Sequence, residues 1–378
     1  MLGLYRLFWV GGDTASLHPE IIVFTPPRCP NLECPAHLHP ENVPGRFYNH
    51  NGLYQPKCRP YPVPRFKCRV CRCGFSRQTF RFDYCDNKPH LNPYLFKLLA
   101  SGMGLRQSGR ILPLSRRCVE LKARKISRHL GLLNRNLIDQ MPEGSSFSLD
   151  EMETFEGERA VLPVTVPILI EIESMYVVST DVAPIRPSGQ MSADRRSAIA
   201  KAEERDGPRK DESLGALERT FRRFRVCCRD HIPLAFITDK KQIYGALLNR
   251  YFGDQVPHTK ISSKQKRDQT NPLRYINLTN AMARDLNGRL RRESWLVSKK
   301  REFLEIQLHV FATYRNFIRR RVNRESGTPA MQLGFLSREA SFDELLSWQQ
   351  RWGKRSIHPL AKGTESIEEV RKSRRPAA

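Results

Sequence analysis

Residues 147–155 read FSLDEMETF, and three carboxylates, Asp150, Glu151 and Glu153, fall within four positions at the end of a short apolar run. The alternation in SSFSLDEMETF is that of a β-strand with its polar end near Asp150. An aspartate in that place has a plain use, as a turn or cap. It has a second use if a sheet gathers the ends of distant strands. The pattern recurs at IPLAFITDK, residues 232–240, where Asp239 closes another apolar run. Further on, Glu302 and Glu305 stand three apart in a helical pattern and so share a face. Acids at the ends of two buried strands and on a later helix predict an α/β core that brings them together.

The acids are set in a strongly basic chain. Its 378 residues hold 64 Lys and Arg against 39 Asp and Glu, a formal charge of +25. That surplus favours a polyanionic partner, nucleic acid or an acidic membrane face. No run of 18 apolar residues occurs, so the sequence predicts no membrane span. The opening MLGLYRLFWVGG is short and carries Arg6, and it reads as an ordered segment instead of a secretion signal. Few low-complexity tracts are present, which disfavours a structural protein of RNA or membrane surfaces.

Seven of the ten cysteines fall between Cys29 and Cys85. With no secretory signal, zinc in a reducing compartment is a better reading than disulfides, and it places the protein in the cytoplasm. Cys29-x4-Cys34 and Cys68-x2-Cys71 offer two ligand pairs, the arrangement a tetrahedral structural site needs. Cys58, Cys73 and Cys85 compete as ligands, and His37 or His39 could replace one thiolate. No position is left open for substrate, so the zinc would contribute folding energy and not catalysis.

Between these features the composition changes in steps. Residues 1–88 are rich in Pro, Cys and aromatics without helical period. From Asn92 the chain reads as three helices, with breaks at Ser101–Gly104 and Ile111–Pro113 and Ser115 as N-cap of the last. Arg116, Arg117, Lys122, Arg124, Lys125 and Arg128 on that last helix are candidates to meet phosphates or base edges, as in a helix-turn-helix. Residues 141–146 read as a linker. Strands follow in SSFSLDEMETF and PVTVPILIEIESMYVVSTDVAPI, then a charged helical insert over 188–226. Beyond Asp239 come the helical QIYGALLNRYFG, a basic loop with Lys264, Lys266 and Arg267, and helix over 278–321.

Phosphodiester chemistry explains why a basic protein would gather acid. Two divalent cations about 4 Å apart activate the attacking oxygen and stabilise the leaving one, and carboxylates must hold them. Magnesium takes oxygen ligands and keeps waters, so two or three acids suffice. Bound cations also reverse the local sign, so that phosphate is attracted where bare carboxylates repel it. Lys299, Lys300, Arg289, Arg291 and Arg292 flank the late acids and are candidates to hold the backbone. Strand alternation turns Glu151 away from Asp150, toward a supporting or surface role.

In order along the chain, CPNLEC with FKCRVCRCGFSRQTF, the basic helices, LDEMETF, FITDKKQIY, INLTNAMARDLNGRLRRESWLVSKKREFLEIQLHVFATYRNFI and TPAMQLGFLSREASFDELLSW resemble a bacterial insertion-sequence transposase of the DDE class. The resemblance implies a zinc ribbon in 1–88, a helix-turn-helix in 89–140, an RNase H-like core in 146–325 interrupted by the 188–226 insert, and a tail in 326–378. That core would be a mixed five-stranded sheet with helices on both faces. The triad would be Asp150, Asp239 and Glu302, with Glu305 as the alternative third acid, holding Mg2+ or Mn2+. The partners would be DNA, both element ends and target, with a homodimer or higher oligomer on DNA in a nucleoid-associated bacterial protein. A sequence-specific DNA-binding regulator with a dead core is the alternative reading.

Overall fold

The structure is a computed structural model and describes residues 24–57, 62–228, 234–262, 264–266, 268–291 and 296–348. The apolar opening, Cys58, Arg267, Arg292 and the tail past 348 lie outside the described residues.

The N-terminal part is a short helix α1 (Pro35–Leu38) and a three-stranded antiparallel sheet, β1 (Tyr48–Tyr54), β2 (Val63–Cys68) and β3 (Gly74–Ser76). Its core is small: Phe47, Tyr48, Phe66, Phe75 and Phe80 close over Cys29, Cys34 and Cys68. So few apolar side chains rarely hold a fold alone, and a cross-link or metal is the usual supplement.

Three helices follow where the sequence places them: α2 (Asn92–Ala100), α3 (Leu105–Ile111) and α4 (Arg116–Asn136). The Ser115 hydroxyl accepts from the Cys118 amide at 3.3 Å and starts α4. Val119, Ala123, Ile126, Leu130 and Leu133 recur at helical spacing on α4 and are buried. They share one apolar core with the main sheet, and Met141 of the expected linker is buried in the same core.

That sheet is mixed and six-stranded. Its strands are β4 (Ser146–Phe155), β5 (Pro163–Glu171), β6 (Val177–Thr180), β7 (Ala183–Pro184), β8 (Ala235–Asp239) and β9 (His258–Ile261). The order is β6-β5-β4-β8-β9, with β7 also on β5. β5 is antiparallel to β4 and β6, whereas β4, β8 and β9 run parallel. Five strands were expected; the sixth is the two-residue β7. The short β9 lies just ahead of the expected basic loop, in a stretch where the sequence predicts no element.

Parallel neighbours need crossovers. Between β7 and β8 run α5 (Ala193–Asp206) and α6 (Ser213–Cys227), and between β8 and β9 runs α7 (Gln242–Phe252). The expected insert therefore divides. α5 has no buried residue, whereas α6 puts Leu217, Phe221 and Phe224 into the core beneath Phe147 and Phe236. Each such phenylalanine contributes about 2–3 kcal/mol of burial, so α6 is a structural crossover.

The opposite face of the sheet, with Met152, Val166 and Ile168, is covered by α8 (Arg274–Leu286) and by α9 (Arg301–Phe317), which also reaches the first core. A single helix over 278–321 was expected; the chain breaks at Asn287-Gly288. A Cβ on Gly288 would stand 2.6 Å from Leu296 Cδ1, so only glycine allows the close approach there. At the far end of α9, the Asn316 amide pairs with the backbone of Val177, accepting from its N–H at 2.8 Å and donating to its C=O at 2.9 Å. Two short helices, α10 (Pro329–Gln332) and α11 (Phe342–Ser347), complete the described chain.

Candidate metal and nucleic-acid sites

Leu149 pairs with Thr238 in the parallel ladder of β4 and β8, so the next residues, Asp150 and Asp239, lie on adjacent strands. Asp239 ends β8, but Asp150 is in the middle of β4 and not at the strand end the sequence suggests, because β4 stays paired with β5 as far as Phe155. Both line one pocket of about 70 Å³, together with Ser262, Asn271, Ile276 and Asn277. Strands 89 residues apart in sequence thus deliver two carboxylates to one place, under helix α8. Asn280 on α8 donates Nδ2 to Asp150 Oδ2 at 2.8 Å. Its own Oδ1 is buried without a hydrogen-bond partner. An orphaned buried acceptor is costly, and this one belongs to the side chain that holds Asp150, although Asn280 is not among the residues lining the pocket. Sequence reasoning missed Asn280 because a lone asparagine within a helix carries no pattern.

The opposite face of β4 holds a second arrangement. Glu151 accepts from the Tyr244 hydroxyl at 2.8 Å, from Lys241 Nζ at 2.5 Å and from Thr165 Oγ1 at 3.1 Å. The Lys241 amide meanwhile donates to Asp239 Oδ1 at 3.0 Å. The start of α7 therefore ties the middle of β4 to the end of β8. Burial, and then the charge of Glu151, push the Tyr244 phenol up, so it stays a proton donor. Glu153 is exposed.

The late acids lie elsewhere. Glu302 is held by Arg124 of α4, and that guanidinium, followed by the charge of Lys300, keeps its carboxyl below the usual range. Glu305 faces Arg135 and Arg219 across the sheet from α8. Neither is among the residues lining the aspartate pocket.

The four cysteines singled out by spacing do converge. The Sγ atoms of Cys29, Cys34, Cys68 and Cys71 lie within 4.8 Å of one another, a set compatible with a structural zinc ion. Arg72, at φ 60°, makes the left-handed turn that closes the second knuckle. Burial pushes the Cys29 and Cys34 thiols up. Burial also raises Cys71, but hydrogen bonds from the Cys73 backbone and Cys29 outweigh it and bring that thiol to about 7. The competing ligands are placed apart: His37 Nδ1 bonds the Cys29 carbonyl at 2.6 Å, His39 pairs with Glu41, and Cys85 is exposed.

The basic residues of α4 split by face. Arg116, Arg117, Arg124 and Arg128 are exposed, with Leu121 among them. Lys122 is buried and donates to Asp86 at 3.1 Å, Asn92 at 2.9 Å and the Lys88 carbonyl at 2.9 Å, so its expected DNA contact is corrected to a structural one. Lys125 donates to Asp86 and to the Tyr84 carbonyl. Lys299 and Lys300 are exposed ahead of α9, and Lys264 and Lys266 are exposed on the loop that borders the aspartate pocket. Arg289 donates to Ser298, and Arg291 to carbonyls at the end of α8. No helix among the described residues is long and apolar enough to cross a membrane.

No protein-family model matches this chain, and no curated protein sequence matches it.

Proposed function

We propose that this chain is a DNA transposase of the DDE class, which binds the terminal inverted repeats of an insertion sequence and cuts and joins DNA strands with divalent cations. The observation that carries the reading is the meeting of Asp150 and Asp239 in one pocket, from strands distant in sequence, with Asn280 bonded to Asp150 through its amide nitrogen and its own oxygen unpaired. Asp150, Asp239 and Asn280 would hold Mg2+ or Mn2+, which would supply an activated water or 3′ hydroxyl and a stabilised leaving oxygen. Glu302 joins that set only if Arg124 releases it.

The remaining residues fit the same reading. The mixed sheet with helices on both faces is what an RNase H-like core requires. The four-cysteine cluster beside the three-stranded sheet would be a zinc ribbon, and α2 to α4 a helix-turn-helix presenting Arg116, Arg117, Arg124 and Arg128. Exposed Lys264, Lys266, Lys299 and Lys300 would bind backbone phosphates and make affinity steeply salt-dependent. Joining two element ends calls for a homodimer or higher oligomer on DNA, in the nucleoid of a bacterial cytoplasm.

The test is cleavage of duplex DNA taken from either side of the encoding gene, with purified full-length protein and Mg2+ or Mn2+. Nicks at defined ends, lost in Asp150→Asn and in Asp239→Asn, are expected. Equal cutting by parent and both variants would remove the site assignment. The Arg124–Glu302 pair favours a second reading, a DNA-binding regulator with an inactive core. It predicts sequence-specific binding without cation-dependent nicking.

A further inference from the structure

A second basic site lies on the other side of the sheet. Helices α4, α6 and α9 meet β6 around a partly open cleft of about 30 Å³, and the two pockets share no lining residue. Asn134, Arg135, Ser179, Thr180, Arg223 and His309 line it. The space admits a small group, about two waters in size. The Asn134 amide already donates to the Leu130 carbonyl and to Thr313 Oγ1, so the donors facing the cleft are the two arginines and the Ser179 and Thr180 hydroxyls.

The charges around the cleft do not balance. Arg128, Arg135, Arg219 and Arg223 act on it, against the three carboxylates Asp181, Glu212 and Glu305. Asp181 is already engaged by Arg219 at 2.9 Å and Arg223 at 3.0 Å. The Arg135 Nε is shut off from water and has no hydrogen-bond partner. Burial first, and then the nearby Arg223 and Arg128, hold this guanidinium below its ordinary range. His309 is kept neutral, at about 3, by burial and the charges of Arg135 and Arg223, while its Nδ1 contacts Ser127 Oγ at 3.0 Å. A cationic N–H held out of water with no acceptor, as at Arg135 Nε, is costly, and a bound anion removes that cost.

We infer that this cleft binds the oxygens of a phosphate-type oxyanion, held between Arg135 and Arg223 with the Ser179 and Thr180 hydroxyls as neutral partners. The ion is either free phosphate or a phosphate of a DNA backbone. The inference stands on the cleft and does not depend on the transposase reading.

Thermal unfolding of the full-length, zinc-loaded protein tests it, with sodium phosphate replacing sodium chloride at fixed ionic strength. The parent is expected to show a saturable rise in melting temperature at millimolar phosphate. In Arg135→Leu the apparent phosphate affinity should fall about tenfold, the loss of one charge-assisted hydrogen bond. That variant should also melt no lower than the parent in phosphate-free buffer, because it removes an uncompensated charge. Arg135→Lys, which keeps the charge, should retain a weaker response and guards against misfolding of the leucine variant. A duplex-binding titration separates the sources. Weaker duplex binding in Arg135→Leu, with phosphate no longer competing, assigns the site to DNA, and unchanged duplex binding assigns it to the free ion. No phosphate response in the parent, or an equal response in parent and Arg135→Leu, overturns the inference.

Discussion

Arg124 of α4 and Glu302 at the start of α9 form a two-pronged ion pair, with Nη1–Oε2 at 2.6 Å and Nη2–Oε1 at 2.8 Å. A side chain expected to hold DNA and one expected to hold a cation thus neutralise each other. Both are well exposed, at 45% and 38%, so the pair stabilises the fold by no more than about 1 kcal/mol. Glu302→Gln is therefore expected to leave the melting temperature nearly unchanged and Mn2+ affinity within about threefold of the parent. Asn280→Ala should weaken Mn2+ binding about tenfold, the loss of one oxygen ligand. Calorimetric titration of both variants decides which residue completes the aspartate site, and the reverse ranking would restore Glu302 to it.

Tyr244 acts on the same site at one remove. Its hydroxyl holds Glu151, and through the start of α7 it steadies Asp239 against Asp150. Tyr244→Phe keeps the ring and is predicted to cost about 1–2 kcal/mol, since a buried carboxylate loses a donor. If the bond serves only the fold, the melting temperature falls and cation affinity does not move. If it positions the aspartates, the Mn2+ dissociation constant rises as well, and the second outcome is expected.

Metal content is the most direct measurement on the N-terminal part. The full-length protein should carry one zinc per chain in the Cys29, Cys34, Cys68 and Cys71 cluster. Cys68→Ser should lose it and release residues 24–88 to proteolysis, whereas Cys85→Ser should retain it. Retention of zinc by Cys68→Ser would place the ion elsewhere.

On α4, Lys122 and Arg117 separate structure from binding. Lys122→Ala takes one of two lysines from the buried Asp86, which Lys125 still holds, and leaves Asn92 Oδ1 and the Lys88 carbonyl without their donor, so it is expected to cost about 1–3 kcal/mol. Arg117→Gln should leave stability alone but lower duplex affinity and reduce the salt slope by about one. A salt titration of duplex binding with each variant checks this, and an unchanged slope for Arg117→Gln would take that residue out of the interface.

Acid sensitivity has a specific origin in His129. Its ring is fully buried, bonded through Nε2 to the Leu345 carbonyl at 2.8 Å, and burial lowers its pKa to about 4. The unfolded chain takes up that proton near 6.5 and the folded one near 4, so stability is complete above pH 6.5 and declines as the pH falls toward 4. The loss is on the order of 3 kcal/mol. Denaturant unfolding of the parent and His129→Gln at pH 7 and pH 4.5 should show the smaller pH dependence in the variant.

Much of this arrangement could be read from residue order because it depends on local signals. Ser115 as a cap, the breaks near Gly104 and Pro113, the apolar run ending at Asp239 and the paired cysteines each declare themselves within a few positions. What escaped depends on contacts between distant segments. Lys122 looks like its basic neighbours until Asp86 and Asn92 are seen around it. The helix-288 break follows from Leu296, eight residues on. Asn280 gains meaning only when β4 brings Asp150 beneath it, and Glu302 is set apart by an arginine 178 positions away. The phenylalanines of α6 were hidden by the charged residues between them, which gave the 188–226 segment the look of a solvated insert.

The pairing of the Asn316 amide with Val177 has a consequence for self-association. A side chain there occupies the polar groups that an incoming strand would need, so another chain is denied a docking rail along β6. Among the described residues β9 has a ladder neighbour on one side only, as has the two-residue β7, and β9 is the longer border from which the sheet could grow between copies. Two copies joined in that way would set their basic loops side by side, and a polyanion threaded between them would offset their mutual repulsion.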